Sequence, residues 1–213
     1  MYLLKSSVKF IFKFIINILI ILIIIGLVIS LFFPISYIDY IYKYSLENDL
    51  DPFLVAAIIN VESKYEKDAL SNKGAKGLMQ IGGQTGEWGA EVLGIREYNS
   101  SMLFDPEINI RIGTWYLRQL RSQFGNKFDL ILAAYNAGSG NVTKWLRDEK
   151  YSKDGTILDN IPFEETDTYL DKVKFNHRVY KTIYKNYMEK PETVHSLYFD
   201  VIIYIRAFIT GFI

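Results

Sequence analysis

The stretch DPFLVAAIINVESKYEKDALSNKGAKGLMQ, residues 51–80, decides the fold and holds the main candidate for chemistry. It opens with a helix start signal, because Asp51 is a good N-cap and Pro52 suits the first helical position. Apolar residues then recur at helical spacing, which predicts one buried face: Leu54, Ala57, Ile58 and Val61. The helix is predicted to end near Ser63.

Glu62 stands at the end of this helix, where an apolar wall meets a glycine-rich loop. Taken alone, such a glutamate is usually a solvated surface charge. Its surroundings change that interpretation. The loop Gly74-Ala75-Lys76-Gly77-Leu78-Met79-Gln80 allows close backbone approach and supplies an amide, and Ala133-Ala134-Tyr135-Asn136-Ala137-Gly138 adds an aromatic ring and a second amide. Aromatic faces and amides together suit sugars.

The rest of the chain after Pro34 also reads as helical. A second Asp-Pro pair, Asp105-Pro106, predicts a long helix that stops at Gly125. Shorter helices are predicted at 128–135 and at about 142–148, and a last one after Pro162. Residues 68–104 are predicted to form loops with short helical turns. No strand pattern is convincing, so residues 36–190 are predicted to form one all-α domain.

Residues 14–33 form an apolar run long enough to cross a bilayer. Lys5, Lys9 and Lys13 precede it and the first charge after it is Asp39. By the positive-inside rule, residues 1–13 are predicted to be a cytoplasmic basic segment, with the domain outside the cell membrane. A cleaved signal peptide is the alternative, but the run is long for one and no small-residue cleavage site follows.

Residues 191–213 form a second apolar segment, interrupted by Asp200 and Arg206. It is short and charged for a membrane span. Contact with the membrane interface or a partner, and packing on the domain, remain equally open.

Composition excludes several classes of function. Lys+Arg and Asp+Glu number 24 each, which gives no electrostatic reason to expect nucleic acid as a partner. There is no cysteine, and His177 and His195 are the only histidines, so we expect no metal site and no cofactor.

The chain resembles the Slt-type lytic transglycosylases, which have a lysozyme-like fold. The resemblance covers roughly residues 45–188 and rests on motifs in family order: Glu62-Ser63; Ser71; Gly77-Leu78-Met79-Gln80; Asn109-Ile110 with Gly113 and Tyr116-Leu117; Ala134-Tyr135-Asn136-Ala137-Gly138; and Pro162-Phe163-Glu164-Glu165-Thr166 with Tyr169.

This resemblance implies cleavage of the β-1,4 bond between N-acetylmuramic acid and N-acetylglucosamine in peptidoglycan. Glu62 would act first as general acid and then as base, closing a 1,6-anhydro ring on the muramic acid. Burial would keep this carboxyl protonated near neutral pH. The implied sugar-binding residues are Ser71 and Gln80 near the N-acetyl group, Tyr135 beside the reacting ring, Asn136 shaping the cleft, and Glu165 and Tyr169 on the donor side.

Some motif residues have a structural interpretation instead. Met79 and Tyr116 are expected in the core, Asn109 and Gly113 are expected to serve helix packing, and Tyr169 could do either. The sequence departs from the family after Gln80. The Met that commonly flanks the cleft is replaced by Gly82, which predicts a more open or mobile subsite.

Two other functions stay open on the sequence. A hydrolytic muramidase would need a second carboxylate, for which Glu66 and Asp68 are candidates, although a solvated loop explains them equally well. A glycan-binding scaffold tethered to other cell-envelope proteins is the second.

Overall fold

The computed structural model describes the backbone of residues 2–189 and the side chains of residues 9–185. The predicted tail at 191–213 lies outside the described residues. Over the described part the regular elements are α-helices with one 3₁₀ helix at Ser100–Phe104: α1 (Tyr2–Phe32), α2 (Ile38–Glu47), α3 (Pro52–Ser63), α4 (Gly83–Val92), α5 (Pro106–Phe124), α6 (Phe128–Ala137), α7 (Ser139–Leu146) and α8 (Glu164–Glu189). The all-α prediction is confirmed.

The first helix is long and apolar enough to cross a membrane over Lys9–Phe32. Over this range nearly all the large apolar side chains are exposed, whereas the core helix of a soluble protein would bury them. This exposure supports contact with lipid. The proposed bounds of the cytoplasmic segment, the span and the domain stay predictions.

Helix α3 is the centre of the core. Its N-cap is confirmed, because the Asp51 carboxylate accepts a hydrogen bond from the Phe53 amide at 2.9 Å. The same carboxylate pairs with His177 Nε2 on α8 at 2.8 Å. The prediction of a single buried face was wrong. Every residue from Phe53 to Asn60 is buried, since neighbouring helices and the loop after α3 enclose this helix on all sides, whereas Val61 is only half-buried.

The predicted loop at 68–104 contains a ten-residue helix, α4, which the sequence reasoning missed. Its interior glycines concealed it, because glycine weakens a helix in isolation. In the fold they permit close packing. A Cβ at Gly89 would lie 2.8 Å from Ile112 Cγ2, and one at Gly86 would lie 2.3 Å from the Tyr98 hydroxyl.

The remaining helices form where they were predicted, although α6 ends two residues later than predicted and α7 is shifted toward the N-terminus. Helix α5 is capped by the Asp105 carboxylate, which accepts from the Ile108 amide at 3.0 Å, and it ends at Gly125. Helix α7 begins at Ser139, three residues earlier than predicted, because Gly138, at a φ of 88°, is the single residue that separates α6 from α7.

Candidate active site

Glu62 lies in the last turn of α3 and is half-buried. Burial raises its pKa from an ordinary 4.5 to about 7, because water no longer stabilises the charged form. The Tyr169 hydroxyl opposes this by interacting with the carboxylate, and the negative charge of Glu165 adds to it. The carboxyl is therefore about half protonated at neutral pH, as a group that gives and then takes a proton requires.

Two tyrosines flank this carboxyl. Tyr135, near the end of α6, donates a hydrogen bond to the Met79 carbonyl at 2.8 Å. Tyr169, on α8, is buried, and its hydroxyl makes no hydrogen bond of normal geometry among the described residues. Burial raises the pKa of both phenols well above 10, and the charge of Glu62 raises both further. Both hydroxyls therefore stay protonated beside the carboxyl.

The loop beneath Glu62 is fixed by one buried amide, Asn109 on α5. Its Oδ1 accepts from the Met79 amide at 2.8 Å, and its Nδ2 donates to the carbonyls of Lys76 at 2.9 Å and Leu103 at 2.7 Å. Asn109 was expected to serve helix packing, but it bonds the loop to the helix. Gly113, by contrast, does serve packing, because a Cβ there would lie 2.3 Å from Met79 Sδ.

Ser63 joins the end of α3 to this loop. Its hydroxyl lies 2.8 Å from the Leu78 carbonyl and 3.1 Å from the Ile59 carbonyl, either of which can accept its proton. The residue was quoted in a motif but given no role. The contact positions the neighbouring Glu62 against the loop.

Ser71 and Gln80 lie within the loop, and their polar groups bond to its backbone. Ser71 Oγ accepts from the Ala75 amide at 3.0 Å, and Gln80 Nε2 donates to the carbonyls of Gly77 at 2.9 Å and Ala69 at 3.2 Å. These bonds shape the loop. Contact of either residue with a sugar remains a prediction.

Asn136 and Glu165 are brought together by a residue that the sequence reasoning did not single out. The buried Thr166 donates to Asn136 Oδ1 at 2.7 Å and joins the end of α6 to the start of α8. Thr166 is the last residue of the motif at 162–166, and this motif was the sequence signal that could have identified it. Glu165 next to it is exposed but close enough to affect the pKa of Glu62.

The other motif residues fall where packing was expected. Met79 is fully buried, and Tyr116 is half-buried with its ring 5.8 Å from that of Tyr135. Glu66 and Asp68 are exposed, and Asp68 pairs with Lys67 at 2.8 Å. The solvated-loop interpretation of these two carboxylates is therefore confirmed.

An all-α domain with this arrangement has the lysozyme-like fold. The transglycosylase SLT domain matches residues 39–158, more than half of the 213 residues, and the chain belongs to this family.

Named relatives and solved structures agree with this assignment. The chain is 35% identical over 166 residues to the soluble lytic murein transglycosylase of Salmonella typhimurium, covering 77% of this chain and 25% of the relative. It is 28% identical over 176 residues to the membrane-bound lytic murein transglycosylase C of Edwardsiella ictaluri, covering 70% of this chain and 47% of the relative.

Among solved structures, an inactive Glu-to-Gln mutant of lytic transglycosylase Slt from Pseudomonas aeruginosa matches with a TM-score of 0.63 and 31% identity. The match covers 72% of this chain and 25% of that one. The chain thus spans about a quarter of the length of its soluble relatives, and the match is to one part of them.

Proposed function

We propose that this chain is a peptidoglycan lytic transglycosylase that cleaves the N-acetylmuramic acid–N-acetylglucosamine β-1,4 bond with Glu62 as its only acid and base. The observation that carries the proposal is the half-buried Glu62 carboxyl, with a pKa of about 7, beside the half-buried Tyr135 and the buried Tyr169. The names of the relatives support the same activity. A Glu-to-Gln change inactivates the Pseudomonas aeruginosa relative, and we assign the equivalent role to Glu62.

One carboxyl is sufficient for this reaction. Protonated Glu62 gives its proton to the bridging oxygen as the bond from that oxygen to C1 of the muramic acid breaks. The resulting carboxylate then takes the proton of the C6 hydroxyl, whose oxygen bonds to C1 and closes the 1,6-anhydro ring. No water is consumed, and Glu62 ends protonated as it began.

The neighbouring residues are proposed to bind the glycan. Tyr135 would contact the reacting ring, and Asn136, held by Thr166, would shape the cleft. Ser71 and Gln80 would lie near the N-acetyl group, with backbone groups of their loop sharing the contact. Glu165 and Tyr169 would line the donor side.

The chain is proposed to be a single-pass protein of the cell membrane. Residues 1–13 would lie in the cytoplasm, residues 14–33 would cross the bilayer, and the domain at 36–190 would face the wall. The apolar α1 and the membrane-bound relative support attachment to a membrane, and the lysines at 5, 9 and 13 support the orientation.

Replacement of Glu62 by glutamine tests the proposal. The wild-type chain should release muropeptides with anhydro ends from purified peptidoglycan, and Glu62→Gln should lower the rate by about 10²–10⁴-fold. Glu66→Gln, at an exposed position, is the matched control and should keep wild-type activity. Mass spectrometry separates the outcomes. Reducing ends would indicate a hydrolase with Glu165 as second carboxylate, and full activity of Glu62→Gln would refute the assignment.

A further inference from the structure

The end of the apolar helix is bonded directly to the catalytic domain. Three side chains, from α3 and α8, donate hydrogen bonds to consecutive backbone carbonyls just where α1 ends. The bonds run from Asn60 Nδ2 to Phe32 O at 3.1 Å, from the Tyr184 hydroxyl to Phe33 O at 2.7 Å, and from the Tyr180 hydroxyl to Pro34 O.

Packing reinforces these bonds. Ile35 is buried in the core at 2% exposure. The Phe33 ring lies 6.1 Å from that of Phe175 and 6.2 Å from that of Tyr180. Helix α2 begins at Ile38, so only residues 33–37 separate it from α1. The short connection therefore carries no slack that would let the domain move away from the end of α1.

The chemistry of the surface beside this junction suits the membrane interface. Phe32 and Phe175 are 67% and 52% exposed, and with Lys64 and Lys172 they line one shallow pocket. Aromatic rings and lysines are favoured at lipid headgroup level, where the rings meet the acyl chains and the ammonium groups meet phosphate. The chemistry of this face of the domain thus suits contact with the membrane interface.

The same junction limits how far the catalytic residue Glu62 can lie from the membrane. Asn60 bonds to Phe32, near the end of the apolar span, and Glu62 follows two residues later on the same helix. Adding the hydrogen bond, the length of one side chain and two helical residues places the Glu62 backbone within about 12 Å of the end of the span. The headgroup layer is itself about 5–8 Å thick. With the span ending here, the backbone of Glu62 can lie no more than a few ångströms beyond the headgroup layer.

We propose that the substrate of this enzyme is glycan still attached to the membrane, meaning strands carried on a lipid anchor at one end. The inference rests on the proposed function and specifies its substrate. A cleft docked at this height meets strands at the membrane surface, and the rigid junction keeps it from glycan farther out in the wall.

Distance measurements on the full chain in liposomes test the rigid junction. The chain has no cysteine, so Leu19→Cys on α1 and Asp171→Cys on α8 give a unique spin-label pair for pulsed EPR. The wild-type background should give a narrow distance distribution. A broad one overturns the inference without any further variant.

A junction variant then tests the substrate. It combines Asn60→Ala, Tyr180→Phe and Tyr184→Phe with about 12 Gly/Ser residues inserted after Pro34, which adds about 20 Å of reach. The matched control carries Asn126→Ala, Tyr42→Phe and Tyr151→Phe, with the same insertion after the exposed Gly155.

Each protein is assayed in liposomes on strands polymerised on a lipid in the same membrane, and on the same strands freed from lipid by mild acid. The wild type and the control should prefer anchored strands, and the junction variant should lose about tenfold of that preference while still cleaving free strands. An unchanged preference in the junction variant overturns the inference. A wild type that gives no anhydro ends on either substrate refutes the proposed function as well.

Discussion

The raised pKa of Glu62 implies a measurable cost to stability, which Glu62→Gln should remove. The pKa is about 7 in the folded chain against an ordinary 4.5. Each pKa unit corresponds to about 1.4 kcal/mol, so ionising this carboxyl in the fold costs about 3 kcal/mol. Glutamine has a similar shape and no charge, and it avoids this cost at every pH.

The sign follows from proton binding. Between pH 4.5 and pH 7 the folded chain holds a proton on Glu62 that the unfolded chain has lost. Stability therefore falls as pH rises through this window, and the cost is complete above pH 7. Below pH 4.5 both states are protonated and the cost vanishes. Glu62→Gln should thus gain about 3 kcal/mol on the wild type between pH 4 and pH 8.

Thermal unfolding of the detergent-solubilised full chain, followed by circular dichroism, measures this gain. For a chain of this size about 3 kcal/mol corresponds to a change of about 6–12 °C in the Tm difference between the two proteins. Titration of other groups, such as Asp51, occurs in both proteins and cancels. Glu66→Gln makes the same change at an exposed position and serves as the matched control.

A Tm difference between Glu62→Gln and the wild type that is the same at pH 4 and pH 8 would refute the reasoning. The carboxyl would then be solvated in the fold, and it would be ionised when the reaction needs it protonated.

Three further predictions concern the surroundings of this carboxyl. The rate of muropeptide release should fall above pH 7 as Glu62 loses its proton. Tyr169→Phe should move that fall to higher pH, because the Tyr169 hydroxyl lowers the pKa of Glu62. A pH–rate profile of each protein checks both results. Asn109→Ala should lower the free energy of unfolding by about 3–5 kcal/mol, since it leaves buried backbone groups unbonded, and thermal unfolding at one pH measures it. Gly77→Ala should destabilise far more than Gly74→Ala in the same assay: both have positive φ, but a Cβ at Gly77 would lie 2.1 Å from a backbone oxygen, whereas one at Gly74 meets nothing within 4 Å.

Helix ends with local signals could be predicted from the sequence. The Asp-Pro pairs at 51–52 and 105–106 start α3 and α5, and Gly125 ends α5, because caps depend on residues adjacent in the chain. Helix α4 could not be predicted in this way. Two of its glycines, Gly86 and Gly89, pack closely against Tyr98 and Ile112, and that packing depends on the whole fold.

The candidate site, too, could be predicted from the sequence only in part. Motif order pointed to Glu62, Tyr135 and Tyr169, and these three side chains interact in the fold. The same motifs did not reveal that the donors of Gln80 bond to the backbone of its own loop. The hydrogen-bond partners of a side-chain amide depend on which groups lie near it in three dimensions, and spacing along the chain does not give that information.

Helix α3 carries one carboxyl at each end, and the fold shifts the pKa values of the two in opposite directions. At the N-terminus burial favours the neutral form, but bonds from His177 and the Phe53 amide hold the pKa of Asp51 below its usual value. The peptide dipoles favour an anion there and disfavour one in the last turn, where Glu62 stands. A designer who moved the reactive carboxyl toward the start of this helix would place it where the dipoles favour the ionised form. The polarity of the backbone therefore favours the far end of the helix for a reversible proton donor.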